Sequence, residues 1–351
     1  MSELPPLDAL AFSLHDTRGV YALLVGSGLS TAAGIPTGWK ITVDLIQKLK
    51  KLAEPDCEEN NIDEKALVSW YQEKYNKEPD YSEVIELVSK NTDERQSILK
   101  EYIEGDHESP RRPTQAHLAI ARLVKECKIK VLITTNFDRL LEFALSAEGI
   151  NPQIIDSDDK IKGAKPIAQS DCTLVKLNRD YLDTRIKNTI KELEKYSSKL
   201  NKYLDRILDE HGLIVVGWSG DWDTALHGAI LRAPNRRYSL YWAAYQGDIG
   251  GKGKGLVEHR DGRVIDIESA DRFFQEIGEK VRGLDRLKSQ HRYSVNIALG
   301  LAKKYCRDDQ YAMEWAELLN AELSKVHEYV TNPDFQACLT QDQLKDVDLK
   351  N

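Results

Sequence analysis

The sequence predicts an α/β fold: a three-layer domain with a mostly parallel sheet, a helical insertion and a C-terminal helical appendage. Three observations carry that reading. Short apolar runs suited to buried strands recur at 19–25, 129–135, 172–177, 213–216 and 238–242. Amphipathic helical segments separate most of them, which is the rhythm of parallel strands joined by crossovers. Between about 52 and 112 the rhythm breaks, and only charged helical patterns are found.

Each element follows from its own residues. GVYALLV (19–25) is a strand that ends at Gly26, and KITVDLIQKLKK (40–51) has helical periodicity. EKALVSWYQEKYN, YSEVIELVSK and DERQSILKEYIEG supply the helices of the insertion. A helix over 116–127 starts near Thr114; the strand IKVLITT and a helix over 138–146 follow. CTLVKL (172–177) is a strand, 188–210 is spaced as a helix, LIVV (213–216) is a strand, a helix begins near 222, and YSLYW (238–242) is a strand. GDIGGKGKG (247–255) has five glycines and reads as a flexible surface loop, with phosphate contact by Lys252 and Lys254 as the second reading. Residues 269–283 are helical, and 287–328 give two more helices. The domains expected are 1–285, with the insertion at about 52–112, and 286–351 as a helical assembly region.

Composition narrows the function. A hydrophobic fraction of 41% supports a buried core, and the net charge of −8 argues against a broad nucleic-acid surface. No apolar run approaches the roughly 20 residues of a membrane span, and the N-terminal segment lacks a secretory pattern. A soluble, cytoplasmic protein is expected. Cys57, Cys127, Cys172, Cys306 and Cys338 are scattered without a CxxC pair, so neither a disulfide framework nor a thiolate zinc site is indicated. The eight histidines show no metal-ligand spacing, and no metal is expected.

Four polar clusters sit where strands end, the place at which open α/β sheets bind ligands. The first is VGSGLSTAAGIPTGW (25–39). Gly26 and Gly28 permit a tight turn and close approach of a pyrophosphate, Gly34 an unusual backbone, and Ser30 and Thr31 donate hydrogen bonds or cap the next helix. The loop meets neither the GxGxxG nor the Walker spacing. The second is TTNFD (134–138): Asn136 suits a ribose hydroxyl or a water, while Asp138 has a capping and a chemical reading. The third is KLNRDYLD (176–183), with Asn178, Arg179, Asp180 and Asp183. The fourth is VVGWSGDWD (215–223), with Gly217, Ser219, Gly220, Asp221 and Asp223. Ser27, Ile35, Thr135 and Trp218 complete the candidate binding set. Trp39, Trp218 and Trp222 suit stacking on a base or ordinary packing. His117 is a candidate catalytic group or a packing and capping residue; His227 is a weaker candidate, and His211 suits a turn.

As an ordered set, these motifs resemble the SIR2-like (sirtuin-like) superfamily over roughly 18–245. GSGLSTAAGIP resembles its first phosphate-binding motif, TTNFD its TxNxD motif, and VVGWS the segment that holds the adenosine side of the cofactor. The resemblance implies a Rossmann-like NAD domain with an inserted smaller lobe. Without the four-cysteine zinc module of protein-deacetylating sirtuins, the chain is more similar to bacterial SIR2-like NAD hydrolases of antiphage defence. GIPTGW with KLNRDYLDTRIKNT resembles those encoded beside HerA-type ATPases. That implies NAD as substrate, NAD or ADP-ribose as ligand, a homo-oligomer and a HerA-type ATPase partner. Many relatives carry a His-Gly pair where Asn178-Arg179 stands here. An amide is no general base near neutral pH, so Asn178 is either a natural variant or an inactivating change.

The mechanism implied is cleavage of the nicotinamide–ribose bond. Asn136 orients ribose or water, Asp138 or Asp180 supplies negative potential, and Ser30 with the glycine loop holds the pyrophosphate. Positioning and electrostatics supply most of the effect. The alternatives are a catalytically weak NAD- or ADP-ribose-binding subunit of an assembly, and an NAD-dependent protein deacylase, which the missing zinc spacing and histidine disfavour.

Overall fold

A computed structural model describes residues 4–55, 63–105, 110–178, 195–221, 223–234, 237–289, 292–306 and 311–331. The chain divides into two compact units, Met1–Val281 and Arg282–Asn351. The first opens with α1 (Pro6–Asp16), β1 (Tyr21–Val25) and α2 (Gly38–Ala53). Three helices follow, α3 (Glu64–Tyr75), α4 (Tyr81–Val88) and α5 (Thr92–Glu104). The sheet resumes with α6 (Gln115–Lys125), β2 (Ile129–Thr134), α7 (Leu140–Ala147), β3 (Gln153–Ile155), α8 (Asp158–Gly163) and β4 (Thr173–Lys176). It is completed by α9 (Ser198–Glu210), β5 (Gly212–Val216), α10 (Thr224–Arg232), β6 (Leu240–Tyr245), α11 (Gly251–His259) and β7 (Arg263–Ile267). The boundary between the units falls within α12 (Ala270–Ser289).

The seven strands form one sheet, ordered β3-β4-β2-β1-β5-β6-β7, with every neighbouring pair parallel. Strand alternation sorts the core. On β1, Tyr21, Leu23 and Val25 join a cluster with residues of α1, α6, α7 and α12, while Ala22 and Leu24 join one with residues of α9, α10 and α11. Both faces of β1 are therefore buried, which is why it reads as an unbroken apolar run. A third cluster holds Ile41, Leu45, Tyr71, Ile85 and Leu99 of α2–α5 and extends to Ile35 and Leu140. The inserted helices thus pack against the loop after β1 and the helix after β2.

Helix starts follow local chemistry. Asp80 caps α4, accepting from the Ser82 and Glu83 amides at 2.8 and 3.2 Å. Ser197 caps α9, accepting from the Leu200 amide at 3.1 Å.

Two edge strands, β3 and β7, were not anticipated. The first has three residues; the second exposes Arg263, Val264 and Asp266, so neither forms an apolar run. The expected loop at 247–255 is also corrected, because Gly251–His259 is helical. Tertiary packing overrides its glycine content. Gly253 is pressed so closely on Ile249 and Trp242 that an added Cβ would lie 2.6 and 3.2 Å from them, and Leu256 is fully buried.

The second unit contains α13 (Arg292–Tyr305) and α14 (Ala312–Thr331), which pack on each other. Among the described residues no helix is long and apolar enough to cross a membrane.

Candidate functional site

The loop after β1 is built on the loop after β5. The Gly26 amide donates to the Val216 carbonyl at 3.0 Å, and the Gly28 amide to the Gly217 carbonyl at 2.9 Å. A Cβ on Gly26 would lie 2.5 Å from the Gly217 oxygen, and one on Gly28 2.8 Å from the Gly217 Cα. Gly217 itself has φ +69°. These three glycines are required by backbone packing within the protein, a demand that the motif alone does not reveal. Gly34, at φ +81°, lies against the Arg111 guanidinium, where a Cβ would meet Nη1 at 2.2 Å.

Two 3₁₀ turns, Ser27–Leu29 and Thr31–Ala33, follow Gly26. Thr31 is exposed, and its hydroxyl donates to the Gly28 carbonyl at 2.9 Å. The next α-helix begins only at Gly38 and is capped by Thr37, not by Ser30 or Thr31. Ser30 instead turns inward and is 1% exposed.

Around Ser30 the ends of β1 and β2 are joined. Its hydroxyl donates to Asp138 Oδ2 at 2.8 Å and accepts from Asn136 Nδ2 at 3.2 Å. Asp138 Oδ1 accepts from the Leu140 amide at 3.0 Å, at the start of α7. Asp138 is therefore a link between two loops and a helix start as well as a buried negative charge. The end of β4 joins through Asn178, whose Nδ2 donates to the Thr135 carbonyl at 3.0 Å. Thr135 is held in turn by its amide bond to the Val25 carbonyl, 3.2 Å.

The partners settle which way both amides face. Ser30 has one hydroxyl proton, given to a carboxylate, so it must accept from Asn136. A carbonyl only accepts, so Asn178 must present its NH2 to Thr135. Each amide is left with its oxygen as an acceptor. Asn136 Oδ1 and Asn178 Oδ1 are both buried and have no hydrogen-bond partner among the described residues. Two acceptors at neighbouring strand ends are thus left open to donors that no described residue supplies.

Lys176 and Glu142 were missed from sequence. Lys176 Nζ donates to the Asp138 carbonyl at 2.8 Å and to Glu142 Oε1 at 2.7 Å, and both side chains are buried. A lysine at the end of an apolar strand and a glutamate on the inner face of α7 were the available signals.

His117 is wholly buried beside this network. Its Nδ1 accepts from the Thr114 amide at 3.2 Å, completing a capping box at the start of α6. The proton of the neutral ring is therefore on Nε2, which is buried without a partner among the described residues. Burial lowers its pKa, opposed by the charges of Asp138 and Asp271. A cleft of about 540 Å³ beside Ala32, Ala33, Arg112, Thr114 and Asp271 borders the 3₁₀ turn and is not lined by either orphaned amide.

The remaining candidates do not join the network directly. Ile35 is buried in the insertion core. Trp218 stacks on Trp242 with ring centres 5.7 Å apart, and Trp39 donates to Glu64 at 2.6 Å. Ser219 is exposed and accepts from the Asp221 amide at 3.4 Å. Asp223 is buried before α10 and accepts from Tyr196 at 3.3 Å; burial, with that carboxylate, raises the Tyr196 pKa well above normal. Lys252 donates to the Asp221 carbonyl at 2.7 Å. Arg179, Asp180, Asp183 and Trp222 lie outside the described residues. No group of three or more His, Cys, Asp or Glu side chains is arranged to hold a metal ion among the described residues.

These positions define a doubly wound parallel α/β protein whose polar groups converge where β4, β2, β1 and β5 end. Within that class, residues 130–259 match the SIR2-like domain family. Among solved structures, the chain is similar to a Sir2 enzyme studied for mechanism and regulation, with 17% identity over 80% of this chain and 98% of that one, and a TM-score of 0.44. It is also similar to a Sir2 homolog in complex with NAD, with 15% identity, coverage of 79% and 94%, and a TM-score of 0.42. A Sir2 homologue variant bound to 2'-O-acetyl ADP ribose gives 15% identity, coverage of 81% and 98%, and a TM-score of 0.41. No curated protein matches the chain.

Proposed function

We propose that the chain binds NAD at the carboxyl edge of the sheet and hydrolyses its nicotinamide–ribose bond. The observation that carries this is the pair of buried amide oxygens, Asn136 Oδ1 and Asn178 Oδ1, on adjoining strand-end loops. A ribose offers the hydroxyl donors such a pair requires. Asn178 holds a ring hydroxyl, and Asn136 orients the water on the open face of the sugar. The C–N bond breaks with its electron pair leaving on nicotinamide. Water adds to the sugar carbon and its proton passes to solvent, giving nicotinamide, ADP-ribose and H⁺. The amide dipoles and the fixed Asp138 carboxylate favour the positive sugar carbon, so stabilisation comes from preorganised charge and no general base is required.

The motif resemblance extends this proposal to an antiphage NAD hydrolase regulated by a HerA-type ATPase, with 286–351 as the assembly region. Exposed Ile297, Leu319, Leu323 and Val326 on its helices support that role. A second reading, a binding subunit with little turnover, is favoured by Asn178, an amide where many relatives carry histidine.

The test is incubation with NAD and chromatography of the products. The proposal expects equal amounts of nicotinamide and ADP-ribose, and a loss of about 100-fold in Asn136→Ala. Recovery only in Asn178→His supports the second reading. Intact NAD with the parent, with Asn178→His and with the ATPase added overturns the proposal.

A further inference from the structure

The buried Lys176–Glu142 pair stands apart from the groups assigned to ligand contact. Lys176 is the last residue of β4, two positions before Asn178. Its side chain crosses to the next loop, where the ammonium meets the Asp138 carbonyl at 2.8 Å and the Glu142 carboxylate at 2.7 Å. Glu142 belongs to α7, whose first turn receives Asp138 Oδ1 through the Leu140 amide. One side chain therefore ties the β4 end, the loop carrying Asn136 and Asp138, and α7 to one another. The relevant side-chain exposures are 1% for Lys176 and 9% for Glu142. An ion pair so far from water is a poor source of net stability, because desolvating two charges offsets their attraction. Its geometry gives it another use.

We propose that Lys176, held by Glu142, is a positioning residue that fixes the separation of Asn136 and Asn178, and so the affinity of the site for ribose. This rests on the reading that the two amides contact a ribose. The strand ladder alone aligns β2 with β4 only as far as Thr134 and Lys176. Beyond it the Leu177 amide bonds the Thr134 carbonyl at 2.9 Å, and Asn178 bonds the Thr135 carbonyl. Those bonds hold Asn178 to the start of the β2 loop. Lys176 adds the connection to its far end at Asp138, so that both ends of the TNFD turn are referred to β4.

The experiment is a double-mutant cycle read by titration calorimetry with ADP-ribose on the full chain. Lys176→Met with Glu142→Leu removes both charges of the pair together, and is expected to melt cooperatively near the parent temperature. ADP-ribose affinity is expected to fall by about tenfold through misplacement of the amides. In an Asn178→Ala background the same pair replacement is expected to cost less than about twofold, since the group it positions is gone. A structural role would cost the same in both backgrounds. Should the pair replacement not fold, Glu142→Gln serves in the same cycle, with an expected loss of about threefold that again vanishes beside Asn178→Ala. Equal losses with and without Asn178 overturn the inference and leave the ribose reading intact. No ADP-ribose binding by the parent overturns both.

Discussion

Ser30 has one hydroxyl proton, and the direction in which it is given decides the chemistry of its neighbours. Donation to Asp138 forces acceptance from Asn136 and leaves the Asn136 oxygen for another donor. Ser30→Ala removes both bonds and strands two buried groups. A loss of about 1–3 kcal/mol in urea unfolding is expected, with NAD turnover falling as well. His117 carries a separate expectation. Burial holds its pKa below normal, so the folded state favours the neutral ring. As pH falls below about 6.5, the unfolded chain binds the extra proton first, and stability drops through that window until the folded ring also protonates. Melting temperatures from about pH 7.5 to about pH 5 are expected to fall less steeply in His117→Gln. His211, also lowered by burial, keeps its share of the slope in both proteins. Ser30, Asn136 and Asp138 were legible in sequence because polar residues at strand ends are conspicuous. Lys176 and Glu142 were not, since each is one charge in an apolar element and only the fold brings them together.

At the scale of elements, the glycine loop and the β5 loop act as one piece. Gly28→Ala must displace backbone at Gly217, not a flexible side chain, and is expected to cost about 1–3 kcal/mol by urea unfolding. Sequence placed these glycines at a ligand; their contacts with each other were invisible until β1 and β5 were known to be neighbours. Helix α11 offers the converse. Gly255 is exposed, and an added Cβ would meet nothing within 4 Å. Gly255→Ala is expected to stabilise the protein by about 0.5–1 kcal/mol, the helix preference of alanine over glycine. Gly253→Ala is expected to gain nothing or lose stability, because Ile249 and Trp242 occupy the space. Comparing the two melts checks the helix that glycine content argues against.

For the whole molecule, five central strands were readable because burial on both faces makes each a continuous apolar run. The edge strands were not, since one is too short and the other faces solvent. The insertion was legible from its loss of strand pattern, but its extension to Ile35 and Leu140, beside the site, came only with tertiary packing. For the proposed assembly unit, Leu323→Glu with Val326→Glu is expected to lower the mass measured by sedimentation; a monomer in both proteins contradicts that role. The amide oxygens of Asn136 and Asn178, without a partner among the described residues, are proposed to receive a ribose. A crystal structure of the parent chain with ADP-ribose tests that proposal most directly. The expected result is a ring hydroxyl within about 3.2 Å of Asn178 Oδ1 and the anomeric hydroxyl, which marks the attacking water, at a like distance from Asn136 Oδ1. ADP-ribose bound elsewhere, with both amide oxygens satisfied by other groups of the protein, would contradict it.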